Sequence, residues 1–350
     1  MVVLATLNAV WRGGSTLAEQ LLFSTTSIPP FLLDEPANAR LPQQLSTHSA
    51  ATSNLRALRC DFSEHNVTHL LGWEYWRGKY SHQEHALTYG SLADLKQRCH
   101  GRAGWSRGSH VRAVKTIRMS GQLASFAAAC RAVASGEPRL NVSCVLVQLV
   151  RHPLTTQRSQ RPFAQQAPSR SHSRDDFAAA PLSNAPIDGD ALCRPILEDV
   201  TTAQALQEER TRLEAAAAAD ASARAALAAL PRVVLVKYDE VVRAPEATAR
   251  SVHAQLRART SPTKLARFLL GHLSLDRSQL SAQLRRHAPP PTPPPPPSPR
   301  PSPSYVSKGR NKSSAFGTVR RPRACESTDA MLQWPACAEL VRTLHPLYVC

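Results

Sequence analysis

Five apolar, β-rich runs alternate with helix-period segments along this chain. Val2 to Val10 (VVLATLNAV) is an apolar run of nine residues and predicts a strand buried on both faces. Gly13 and Gly14 break it, and Leu17, Leu21 and Leu22 then recur at helical spacing, with Ser15 or Thr16 expected at the N-cap. Phe31-Leu32-Leu33 predicts a short second strand ending in Asp34-Glu35-Pro36, followed by a polar stretch to about Ser63. Val111 to Ile117 and Cys144 to Val150 read as the third and fourth strands, with an Ala-rich helix from Leu123 to Val133 between them. The fourth ends in Arg151-His152-Pro153, where proline suits the first turn of a following helix.

The second half continues the alternation. Ala203 to Leu230 predicts one long helix, with Leu206, Leu213 and Leu227 as its buried stripe. Val233 to Tyr238 is the fifth strand, and Pro245 to Leu256 the next helix. Two stretches interrupt the pattern. Residues 162–189, rich in Ser, Pro, Ala and Arg, predict a mobile insertion. From Pro289 to Pro303, eleven of fifteen residues are proline, which calls for an extended polyproline segment outside any core. Helical spacing returns between Met331 and Val349. The expected architecture is α/β, a mainly parallel sheet flanked by helices. The main domain would cover 1–287, a basic Pro-rich disordered segment 288–324, and a helical segment packing back on the domain 325–350.

Composition changes this picture in two places. The formal net charge is +17, but five Arg without an acid lie between Arg151 and Arg174, and seven Lys or Arg without an acid between Ala288 and Ala324. The excess therefore falls mostly in irregular stretches and suggests affinity for a polyanion. A nucleic-acid binder would carry its cations in structured patches, so no nucleic-acid partner is expected. The eight cysteines show no CxxC spacing and no paired His, so no metal site is expected. With the sequons at Asn66, Asn141 and Asn311 they lean toward a secretory compartment. No apolar run is long enough to span a bilayer, so any anchor is expected to be missing from this chain.

The chemistry concentrates where strands end. Arg12-Gly13-Gly14-Ser15-Thr16 follows the first strand and opens a helix, an arrangement that suits an anion. It is not a nucleotide P-loop of the GxxxxGK[ST] type, and an ordinary βα turn would also use its glycines. Glu35, Lys115, Arg118 and Arg151 also follow predicted strands, so four cations and one carboxylate would converge on one rim. Ser159 lies eight residues beyond Arg151, about two turns along the helix that Pro153 opens. Lys115 and Arg118 could bind an anionic group of a ligand, but a salt bridge at the rim is the favoured reading. The aromatics Trp73, Tyr75 and Trp76 read as a local apolar knot ahead of a sugar-stacking platform, and His82 and His85 as solvated.

These residues resemble the Golgi carbohydrate sulfotransferases, in particular the galactose and N-acetylhexosamine 6-O-sulfotransferase group. Arg12-Gly13-Gly14-Ser15-Thr16 is similar to that family's R-[ST]-G-S-[ST] loop, with Gly13 in place of a hydroxyl residue. Leu149-Val150-Arg151-His152-Pro153 with Ser159 is similar to its LVRDPR…S element, with His152 in place of Asp. Asp34-Glu35-Pro36 and Val236-Lys237-Tyr238-Asp239-Glu240 with Pro245 resemble two further segments, in the family's order.

The resemblance implies the P-loop-like fold of PAPS-dependent sulfotransferases (PAPS is 3′-phosphoadenosine 5′-phosphosulfate), sulfuryl transfer to a glycan hydroxyl, and Golgi residence. It implies that Arg12, Gly13, Gly14, Ser15 and Thr16 hold the 5′-phosphosulfate, with Arg12 also stabilising the leaving phosphate. Arg151 and Ser159 would hold the 3′-phosphate. Glu35 stands as a candidate general base, with a capping or ion-paired carboxylate as the equal alternative. A small-molecule kinase and a non-catalytic polyanion binder remain as other readings; the first lacks a Walker lysine.

Overall fold

The computed structural model describes residues 2–9, 14–28, 30–34, 49–66, 70, 91–100, 110–117, 119–136, 142–153, 156, 189–272 and 333–348. Strands β1 (Val2–Ala9), β2 (Phe31–Asp34), β3 (His110–Thr116), β4 (Val142–Val150) and β5 (Arg232–Lys237) form one sheet in the order β2-β3-β1-β4-β5. Every neighbouring pair is parallel. All five expected strands are present within a residue or two. β1 and β4 are buried almost end to end, because helices cover both faces of the sheet.

Alternation along β1 sorts the helices into two layers. Val3, Ala5, Leu7 and Ala9 face the layer of α1 (Ser15–Glu19), α8 (Pro245–Gln255) and α9 (Pro262–His272). Leu4 faces the layer of α2 (Ala50–Leu58), α4 (Leu123–Gly136) and α5 (Gly189–Ala216). The disulfide between Cys60, just past α2, and Cys99 of α3 (Leu92–His100) lies on this second face. A third cluster joins the first turns of α5 to α10 (Pro335–Tyr348). There Cys193 is bonded to Cys337, and Asp190 accepts from the Ala336 amide at 2.8 Å, capping α10. Cys130 and Cys144 are buried free thiols.

Several helical expectations need correction. The helix after β1 is capped by Gly14, with Ser15 and Thr16 already inside its first turn. It widens into a π-helical turn over Gln20–Ser24. The single helix expected over 203–230 starts earlier, at Gly189, and is two helices. Asp220 breaks the alanine run by accepting from the Ser222 amide at 2.8 Å, which starts α6 (Ala221–Ala229). The polar stretch before Ser63 contains α2, whose N-cap Ser49 accepts from the Thr52 amide. The insertion at 162–188, the Pro-rich segment, the aromatics at 73–76 and the histidines at 82 and 85 lie outside the described residues.

The sheet order fixes where a ligand would sit. After β1 the chain passes to the β2 side of the sheet, and after β4 it passes to β5 on the other side. The two connections leave adjacent strands in opposite directions, which opens a crevice beyond the carboxyl ends of β1 and β4.

Candidate functional site

Three described residues meet at that crevice. Gly14 enters α1 with φ 90°, the left-handed conformation open to glycine at low cost. Its carbonyl accepts from the Ala18 amide at 3.1 Å, so the helix is engaged from its first residue. Pressed against it is the ring of Tyr238: a Cβ built on Gly14 would lie 2.1 Å from Cε2 and 2.3 Å from Cδ2. On the same ring rests the Arg151 guanidinium, its Cζ 4.5 Å from the centroid.

The register of the sheet produces this meeting. β4 and β5 pair Val150 with Lys237, so Arg151 and Tyr238 are the next residues beyond the ladder. Tyr238 opens the short helix α7 (Tyr238–Arg243) rather than ending the strand, as the sequence suggested. β1 and β4 pair Ala9 with Leu149, so β1 ends at the same level of the sheet. Burial pushes the Tyr238 phenol above its usual pKa and the Asp239 charge adds to this, while Arg151 pulls it back. The ring is therefore a neutral phenol at physiological pH.

Of the expected site residues, the structure brings together Gly14 and Arg151, and places Ser15 and Thr16 in the first turn of α1. First-turn amides have no acceptor within their own helix, and this first turn follows directly on Gly14, against the Tyr238 ring. Arg12, Gly13, Glu35, Ser159 and Arg118 lie outside the described residues.

Lys115 is not a rim cation. It sits in register with Leu7, on the face where α1 packs, and its Nζ donates to Glu19 Oε2 at 3.1 Å. Both side chains are 1% exposed, so the expected salt bridge exists but is buried beneath α1.

A second polar cluster, missed in the sequence, lies near the carboxyl end of the sheet on the opposite face, where the β1–β3 ladder ends. Asn8 pairs in register with Thr116 on one side and Gln148 on the other. Asn8 Nδ2 donates to Gln148 Oε1 at 2.8 Å and to Asp199 Oδ2 at 3.4 Å, and Asn8 Oδ1 accepts from Thr116 Oγ1 at 3.0 Å. Asp199, from α5, also accepts the Leu123 amide at 2.9 Å and so caps α4. Burial raises the Asp199 carboxyl to about 6, and Glu198 adds to the rise, against the pull of the Leu123 and Gly121 amides and Asn8. The signal was present: Asn8 and Gln148 are the polar interruptions near the ends of two otherwise apolar runs. Among the described residues, no group of three or more His, Cys, Asp or Glu is placed to hold a metal ion.

No family model and no curated protein sequence matches the chain. Among solved structures, the chain is similar to a sulfotransferase domain from the Synechococcus PCC 7002 olefin synthase. That similarity covers 83% of this chain and 90% of that one, at 16% sequence identity and a TM-score of 0.32. At so low an identity no activity carries across, and the parallel α/β architecture rests on the sheet of this chain itself.

Proposed function

We propose that this protein is a sulfotransferase that passes the sulfuryl group of PAPS to a hydroxyl of a glycan. The observation that carries the reading is the meeting of Gly14 and Arg151 on one tyrosine ring, between the carboxyl ends of β1 and β4. It puts the glycine-rich turn and the arginine loop, predicted separately as anion sites, within one crevice. A donor with phosphate groups at both ends of a nucleoside needs two such anchors.

In this reading the amides of Gly14, Ser15 and Thr16, with Arg12 and Gly13, hold the 5′-phosphosulfate. Arg151 and Ser159 hold the 3′-phosphate, where a guanidinium makes short charge-assisted hydrogen bonds. Glu35 takes the proton of the acceptor hydroxyl as its oxygen bonds to sulfur. The sulfur–oxygen bond to the donor phosphate breaks, and Arg12 and the α1 amides steady the charge left there. No metal is needed, because fixed cations and amides supply the charge. The disulfides among the described residues, Cys60–Cys99 and Cys193–Cys337, suit an oxidising compartment such as the Golgi lumen. Among the described residues, no helix is long and apolar enough to cross a membrane.

The test is transfer of labelled sulfate from PAPS to a panel of desulfated glycans. Label appearing on at least one glycan, and lost with Arg151→Ala, is the expected result. No transfer to any member removes the glycan reading. Arg151→Ala should also weaken donor binding by about 1.5–3 kcal/mol, the worth of a hydrogen bond to a charged group. Glu35→Gln should leave donor affinity unchanged and cut turnover by roughly 10²–10⁴. Near-full turnover of that variant would make Glu35 a structural carboxylate.

A further inference from the structure

Tyr238 touches both anion loops and takes no part in the chemistry set out above. Its ring fills the space in which any side chain at residue 14 would lie, so the turn into α1 is seated directly on it. On the same ring the Arg151 guanidinium is stacked, its Cζ 4.5 Å from the centroid. The ring stands on the first residue of α7, immediately past β5, and its position is set by the Val150–Lys237 pairing. Residues that follow three adjacent strands therefore meet at one aromatic side chain.

We infer that Tyr238 is a specificity-determining strut: by seating the Gly14 turn and stacking Arg151, it sets the spacing at which two phosphates of one nucleotide are read. This rests on the sulfuryl-donor reading and deepens it. An arginine on a long flexible stem loses much conformational freedom when it binds a phosphate, and a planar stacking partner removes part of that freedom beforehand. The gain applies only to ligands that use Arg151. A nucleotide with a phosphate at the 5′ position alone contacts the Gly14 side and draws nothing from the stack. Discrimination between the two nucleotides then depends on the ring, while binding of the simpler one does not. The phenol oxygen is not required; the flat face is.

The experiment is calorimetric titration of the full chain with adenosine 3′,5′-bisphosphate and with adenosine 5′-monophosphate. Wild type, Tyr238→Phe, Tyr238→Leu and Tyr238→Met are compared, and the melting temperature of each is recorded. Wild type should prefer the bisphosphate, and Tyr238→Phe should keep that preference. Tyr238→Leu should lower it about tenfold, the order expected for a lost stacking contact on a charged group, with monophosphate affinity little changed. Tyr238→Met places a flexible, ring-free side chain in the same space and gives the same reading should the leucine variant fail to fold. In an Arg151→Ala background, Tyr238→Leu should have no further effect on the ratio. A folded Leu or Met variant with wild-type preference overturns the inference, as does a Phe variant that loses it. Wild type binding neither nucleotide overturns the sulfuryl-donor reading instead, and the strut falls with it.

Discussion

Lys115 and Glu19 show how far one residue's role can depend on a distant partner. Lys115 ends an ordinary-looking strand, and the carboxylate that meets it lies 96 residues away in sequence. Nothing local marks either as buried, so the sequence placed Lys115 at the rim. With both groups out of water, removing one leaves an uncompensated charge, a change that typically costs about 3–5 kcal/mol. Lys115→Met alone, measured by denaturant unfolding, should lose an amount of that order. Adding Glu19→Leu to it should recover most of the loss, since two apolar groups replace an ion pair with little net cost. A double variant no more stable than the single would show that the pair contributes through other contacts. Gly14 was legible as a turn glycine, whereas its closeness to Tyr238 was not, because that contact joins segments more than two hundred residues apart.

At the scale of elements, the strands were legible and the helices only partly. Continuous apolar runs mark β1, β4 and β5, since a parallel sheet covered on both faces has no polar side. α2 hid because its buried stripe mixes Ser53 and Asn54 with Ala51, Leu55, Ala57 and Leu58, leaving only two large apolar residues to mark it. The break between α5 and α6 lacks Gly or Pro and depends on the single cap Asp220. Asp199 links three elements, α5, the N-terminus of α4 and the end of β1, and does so with a carboxyl raised from 3.8 to about 6. A carboxyl raised on folding holds its proton more tightly in the folded state. Its stabilising effect is complete below the unfolded value and is lost as pH rises through the folded one. Across pH 4 to 7 that loss is about 2 kcal/mol, most of it between the unfolded and folded values. Unfolding free energies of wild type and Asp199→Asn should therefore diverge over this window, with the wild type falling relative to the variant. Parallel curves would show that Asp199 does not carry the raised proton affinity.

For the whole molecule, the sheet order decides more than any motif does. Each motif alone is short, but β1 and β4 are adjacent and their connections part in opposite directions, so the glycine turn and the arginine loop must face one crevice. Strand order is set by long-range pairing, which is why the sequence yielded the two loops and only an expectation that they converge. The Pro-rich segment stands apart from this arrangement in composition. Deleting Pro289 to Pro303 should leave the melting temperature and nucleotide affinity unchanged, because eleven prolines in fifteen residues cannot join a sheet or helix core. A fall of several degrees would assign that segment a packing role.

The central claim, one crevice with two phosphate anchors and no metal, is tested most directly by calorimetry of the full chain. Adenosine 3′,5′-bisphosphate and ATP are titrated separately, each with and without magnesium. Tight binding of the bisphosphate, weak binding of ATP and no effect of magnesium on either is the predicted result. Equal affinities, or binding that requires magnesium, would contradict the account and point to a kinase-type site.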